Sequence, residues 1–482
     1  MGYSHRIDTE EIPTQIAVPV QGTAGLQVVI GTAPVNLAED PYKVTNTPVI
    51  AYSFTEAQKL LGYSDSFTKY TLCQSMDASF RVFAVAPVIF INVLDPEKHQ
   101  KDYEKNVVVV KRKAVIEDDG ILLDRLEVKD QEDNALERNT DYIASFNASG
   151  GIDITVLSTE KTAGVTALNL AGVCLDPDMV TELDMIGGYD AATGKETGLE
   201  VIRQVYPKLG LTPGLILAPG WSHNTAVAAV MCAKTESING VFTCETVIDM
   251  DCGKCRVYTG LKEAKETMAV SSPHAVLVWP KLKLGDKVYC FSAVWAAMTA
   301  YTDAQNGDIP VKSPSNELLN MGATVLEDST ELVLDTSMAE LVNSFGIVTA
   351  INDSGWRSWG NNTAAYPGTA DPKDRWIACR RMMSWYRNHF ILTYKAKVDE
   401  PGNYRLIESV VDSENIYLNS LGRTEKIAGG EISFSEDENP VTSILDGNIV
   451  FHTKIAFFIP AEYIKNRIEF DPTILQNALG GA

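Results

Sequence analysis

The sequence predicts a multi-domain α/β (α+β) protein. It reads as an α/β sheet domain, an antiparallel β domain inserted into it, and a C-terminal α+β domain, joined by extended terminal arms. Three observations carry this reading. Between residues 185 and 310, short apolar runs alternate with segments of helical period, the pattern of a doubly wound sheet. From Asp95 to about Asp184 the helices vanish, and β-branched runs are separated by turn-forming clusters such as Asp118-Asp119-Gly120 and Asn147 to Gly151. After Asn448, the residues Ile449, Phe451, Thr453, Ile455, Phe457 and Ile459 alternate with mostly polar ones. The expected boundaries are 1–20 for an N-terminal arm, 21–94 and 185–345 for the discontinuous α/β domain, 95–184 for the insert, and 346–482 for the C-terminal domain with its arm.

The arm comes first in the chain. Ile12, Ile16, Val18 and Val20 sit at even spacing, which puts them on one face of an extended strand. Pro13 and Pro19 disfavour a helix and a central strand, leaving either an arm or an edge strand of the first domain. Gly22 to Gly31 reads as a buried strand. Thr55 to Leu61 reads as a helix capped by Thr55, Tyr70 to Ser79 as a second helix, and Phe80 to Leu94 as one or two core strands. Within the insert, Val107 to Val110, Ile121 to Val128, Thr140 to Phe146 and Ile152 to Leu157 are strand-like. Its charged turns and modest core suggest an outward-facing decoration.

Thr197 to Leu209 is helical, with Leu199, Ile202 and Val205 on one face. Leu215 to Ala218 is a buried strand, and Ser222 is placed to cap a helix through Thr235. Strands at Gly240–Met250 and Ala275–Trp279 alternate with helices at Leu261–Met268 and Phe291–Ala304. Residues 311 to 345 form a connection with a helix near Met338 to Ser344. Further helices are expected at Asp374–Phe390 and at Tyr404–Leu421, the latter ended by Gly422. Tyr463 to Phe470 continues extended.

The chain has 482 residues and a net charge of −22. That argues against nucleic-acid binding, which needs Lys and Arg to displace phosphate counterions. Met1 to Glu11 lacks the apolar core of a signal peptide. The longest apolar run, Val82 to Leu94, is 13 residues and is interrupted by Pro87 and Asn92. No membrane insertion is expected, and synthesis in the cytoplasm is.

Candidate chemistry fails on spacing. Gly188 to Glu196 resembles a phosphate loop, but five residues separate Gly188 from Gly194, and Glu196 stands where a Ser or Thr is needed. Ser222 follows a strand but lacks the nucleophile elbow. Cys252 and Cys255 form the one close cysteine pair, open to metal binding, thiol exchange or a plain role as reduced thiols. No catalytic residue, metal site or cofactor is expected.

The most distinctive stretch is Gly346 to Asn362: a buried strand, an Asn-Asp-Ser-Gly turn, a tryptophan-bearing strand and a second turn. It reads as a device for placing aromatic surface. With Gly355, Trp356, Trp359, Gly360 and Asn361 it resembles the signature of the contractile tail sheath family, although Asn362 stands where that family commonly has Arg. The opening α/β pattern, Thr197-Gly198-Leu199, the turn at Ala218-Pro219-Gly220, and Val278-Trp279-Pro280 follow in an order similar to the family's.

The resemblance implies a structural subunit, not an enzyme, that polymerises as stacked rings around an inner tail tube. Contraction of the assembly then drives the tube through a cell envelope. It implies as partners other copies of the chain, the inner tail tube protein, and baseplate and tail terminator proteins. It places the protein in a phage tail or tail-like particle, with 346–482 as the inner sheath domain. It implies that Ile16, Val18, Val20, Phe451, Ile455 and Phe457 lie on arms linking neighbouring subunits. Between Lys373 and Lys397 seven basic residues meet one acid, Asp374. Arg380, Arg381 and Arg387 are therefore expected either to face an acidic tube or to pair with acids of the same or a neighbouring subunit. The alternatives are a non-contractile virion or baseplate protein and, further off, an α/β enzyme.

Overall fold

The computed structural model describes residues 24–480; the Ile16, Val18 and Val20 expectation lies outside them. The strand Gln27–Gly31 is buried at every position. A parallel strand covered by helices on both faces needs no polar side, and this one lies inside an eight-stranded sheet. The order is Pro48–Ala51, Val88–Asn92, Gln27–Gly31, Leu215–Leu217, Glu245–Asp249, Ala275–Val278, Ile347–Asn352, Trp356–Trp359. The two outermost strands are antiparallel to their neighbours and the inner ones run parallel. The chain winds one way from Gln27–Gly31 and, after the insert, the other way through Leu215–Leu217. The helix Phe291–Gln305 is buried along most of its length, as the core of the body requires.

Several local expectations shift for identifiable reasons. Ser53, not Thr55, caps the helix Phe54–Leu61: its hydroxyl accepts from Glu56 N–H at 3.2 Å, while the Glu56 carboxylate accepts from Tyr52 N–H at 2.8 Å. Phe80 to Val82 continues the preceding helical segment, so only Val88–Asn92 is a strand. The helix Thr225–Glu236 is capped by Asn224 rather than Ser222. The helix expected from Asp374 is two, Pro372–Arg375 and Ile377–Tyr394, because Trp376 between them is extended. The helix Tyr404–Arg423 runs through Gly422 and stops at Thr424.

The insert has its own hydrophobic cluster, including Ile116, Ile121, Ile152, Ile154 and Leu168. Its entry strand Gln100–Val108 and exit strand Ala167–Leu175 pair antiparallel along their full lengths. Both ends therefore meet at one neck. A third cluster, built on Met382, Trp385, Tyr386, Leu418 and Ile432, packs the C-terminal helices against a two-stranded ribbon of Gly429–Ser433 and His452–Ala456.

Candidate functional site: an assembly face in the C-terminal region

The strands Ile347–Asn352 and Trp356–Trp359 form a hairpin on the last edge of the sheet. Gly355 (φ +117°) and Gly360 (φ +144°) take backbone conformations that other residues rarely adopt, and a Cβ on Gly360 would press on Val348 Cα at 3.1 Å. Trp356 is buried and its indole N–H donates to Gly322 C=O at 2.8 Å. The expectation that this segment displays aromatic surface is thus corrected for Trp356. Its ring closes the sheet edge, because a buried indole needs an acceptor and finds one in the loop laid over it. Trp359 is half-buried. Asn361 accepts from the Ser313 hydroxyl at 2.6 Å, and Gly360 N–H donates to Ser315 Oγ at 3.0 Å. Trp359 to Asn362, Asn343, Arg375 and the chain at Pro460–Tyr463 line one polar depression of about 440 Å³.

The arginines separate. Arg381 is 1% exposed and grips Asp303 of the core helix with both terminal nitrogens, one at 3.1 Å. It also donates to Ala24 C=O at 3.2 Å. Beside it, Ser384 donates to Glu245 at 2.6 Å, and Asn388 accepts from Thr243 N–H at 3.1 Å and donates to Thr243 C=O at 2.7 Å. Arg380 is buried against Asp374 at 3.1 Å. The polar stripe of this helix therefore faces inward, across the ends of the sheet strands. Arg380 and Arg381 do not form a tube-facing surface: a buried charge demands a partner, and each has one in its own chain. Arg387 is exposed and carries no ion pair among the described residues.

The ribbon corrects a second expectation. Phe451, Ile455 and Phe457 are half-buried and pack against the C-terminal cluster of their own chain. Phe451 lies 6.5 Å from Phe390 and 6.2 Å from Phe434, ring centre to ring centre. These side chains anchor the root of the arm. The free part begins beyond them: Tyr463, Ile464, Ile468 and Phe470 are 79, 84, 88 and 78% exposed. In an extended strand Ile464, Ile468 and Phe470 share one face, and Lys465, Arg467 and Glu469 the other. The helix Pro472–Gly480 follows, with Ile474 and Leu479 exposed too. Neither outer edge of the ribbon is paired among the described residues.

The residues with enzymatic appeal are absorbed by structure. Gly188–Asp190 and Lys195–Thr197 form a hairpin, with Asp190 bonded across the turn. Ser222 Oγ donates to Asp249 Oδ2 at 3.0 Å and accepts from Asp249 N–H at 3.0 Å; Ser292 Oγ donates to the same carboxylate at 2.5 Å. Burial pushes the Asp249 carboxyl up, against those hydrogen bonds. Cys252 and Cys255 are buried free thiols, and burial raises both. Among the described residues no cluster of three or more His, Cys, Asp or Glu is placed to hold a metal, and no helix is long and apolar enough to cross a membrane. One further depression, about 700 Å³, lies at the ends of the parallel strands near Trp221, Met250 and Lys281, and another, about 1200 Å³, near Asp65, Arg81 and Lys287.

A layered body with, among the described residues, an unpaired ribbon and an exposed apolar arm fits one class: a structural subunit that joins others. The comparisons fit that class. No family model matches the sequence. The tail sheath protein of Burkholderia phage BcepMu is 25% identical over 496 aligned positions, covering 99% of both chains. A putative prophage major tail sheath protein of Pseudomonas aeruginosa is 25% identical over 59% of this chain and 72% of its own. In fold, the chain is similar to one in the baseplate of the anti-feeding prophage (TM-score 0.58, 14% identity, 98% of this chain and 100% of the other). It is equally similar to one in the contracted PVC sheath of an extracellular contractile injection system (TM-score 0.58, 16% identity, 98% and 99%). These curated relatives are tail sheath proteins, and the two structural neighbours come from a baseplate and from a contracted sheath.

Proposed function

We propose that this chain is the repeating subunit of a contractile tail sheath, assembling as stacked rings around an inner tube and acting mechanically rather than as an enzyme. The observation that carries the reading is the arm from Tyr463 to Leu479, whose apolar side chains are exposed among the described residues. An extended segment with free N–H and C=O groups gains hydrogen bonds by adding to a neighbour's sheet edge, and the ribbon offers such edges. Linked this way, copies stay connected while the rigid bodies rotate and slide. Residues 1–20 are proposed as the second arm, the insert as an outward domain, and the C-terminal region as the inner one. Tube contact on the Ile377–Tyr394 helix reduces to Arg387, the arginine without a carboxylate partner among the described residues. An exposed ion pair contributes about 0–1 kcal/mol, weak enough to release as the sheath expands.

Electron microscopy of the particles that carry this chain tests the reading. A striated cylinder seen in long and shortened forms supports it. A shell, or a plate without a cylinder, contradicts it.

A further inference from the structure

An arm that must find a neighbour benefits from leaving the body in a fixed direction. Arg375 ends the short helix Pro372–Arg375, and the extended backbone at Trp376 turns its side chain across the signature loop. Its guanidinium lies 4.1 Å from the centre of the Trp376 ring and 4.6 Å from that of Tyr366. Nε donates to Asn362 Oδ1 at 3.0 Å. One terminal nitrogen, Nη2, then faces Glu462 Oε2 at 3.5 Å. Past Phe458, this is the only hydrogen bond or ion pair between the arm and the body among the described residues. The contact is lopsided: the arginine is fixed by two rings and an amide, while no other hydrogen bond or ion pair joins the glutamate's segment to the body among the described residues.

We propose that Arg375 is a positioning residue for assembly. It holds Glu462 so that the arm beyond it is aimed at a second copy of this chain, and it releases that hold when the neighbour moves. The side chains are 29% and 38% exposed, so the pair is weak and salt-sensitive, suited to orienting rather than locking. Aiming the arm lowers the ordering cost of capture without adding any contact to the final interface. The proposal rests on the reading that the arm is captured by another copy.

The test is the critical concentration for polymerisation of the purified chain, read by sedimentation, for Glu462→Arg, Arg375→Glu, the double swap, and a chain ending at Ala461. Glu462→Arg is expected to raise it about two- to fivefold, the range an exposed ion pair allows, with unchanged melting of the unpolymerised subunit. The swap is expected to restore the parent value, and the truncated chain to stay unpolymerised. If Glu462→Arg polymerises like the parent while the truncation fails, the positioning role is overturned and the arm reading stands. If the truncation polymerises normally, both fall. Should the swap melt early, Glu462→Gln replaces it. An increase between those of the parent and Glu462→Arg supports the charge contact, and no increase overturns it.

Discussion

Ile30, Ile89 and Ile91 are fully buried in the sheet, while Ile464 and Ile468 stand 84% and 88% exposed on the arm. Both stretches are extended, and both are rich in side chains worth about 1.5–3 kcal/mol each when removed from water. In the body that gain is realised within the chain and holds one layer to the next. On the arm, among the described residues, it is unrealised, and the neighbouring backbone groups are unpaired as well. On the proposed function the two regions are stabilised by different molecules, the body by itself and the arm by a neighbouring copy. Substitutions in the two should therefore separate folding from assembly.

The largest effect is expected at the seam between the body and the C-terminal helices. Asp303→Ala leaves the Arg381 guanidinium buried without a counter-charge, which costs about 3–5 kcal/mol in urea unfolding of the unpolymerised chain. A loss below about 1 kcal/mol would mean the pair is not buried as described. Next, Leu277→Ala, at a fully buried position, should cost about 2–5 kcal/mol, whereas Ile468→Ala should change subunit stability by less than about 0.5 kcal/mol yet impair polymerisation. Equal losses from the two would erase the comparison.

A smaller effect is expected at the neck of the insert. Burial works against the charged form of Asp184, but Lys98 and the Thr181 amide and hydroxyl outweigh it and bring the carboxyl down to about 2. A carboxylate whose folded pKa lies below its unfolded value contributes stability that is full above about pH 4 and lost as pH falls through about 2, here on the order of 2 kcal/mol. Asp184→Asn should remove that acid-sensitive part, read as a flatter dependence of unfolding free energy on pH between about 4 and 2. An unchanged pH slope would show that the neck is held by other contacts. Smallest of all, Lys195→Ala, on an exposed hairpin, should leave stability and assembly unchanged; loss of contraction with normal assembly would reopen a nucleotide role.

The sequence made the body legible because parallel strands buried on both faces leave apolar runs, as at Leu215–Leu217 and Ala275–Val278. The same logic hid Gln100–Val108, whose residues are mostly charged or polar and largely exposed; its extended state is imposed by pairing with Ala167–Leu175, some seventy residues away. Helical period revealed the polar stripe of Arg380, Arg381, Ser384 and Asn388 but not which way it faces. The missed signal was Asp303, a lone carboxylate late in the apolar helix Phe291–Gln305, whose position calls for a buried cation. Ser222 misled for a related reason: a serine after a strand suits a cap, yet its hydroxyl is taken by Asp249 from the adjacent strand. The alternating stretch before the arm was legible as a strand, but its pairing with Gly429–Ser433 of the same chain was not. The side chains Phe451, Ile455 and Phe457 were assigned to the wrong side of the arm's root, because alternation gives a face and not the molecule it meets.

On the proposed function the arm's backbone is completed by another copy. Hydrogen–deuterium exchange over Glu462 to Phe470 measures this most directly, comparing the unpolymerised subunit with the assembled sheath. Fast exchange in the subunit and strong protection of alternate amides in the assembly is the predicted result. Exchange that remains as fast in the assembly as in the free subunit would contradict the account.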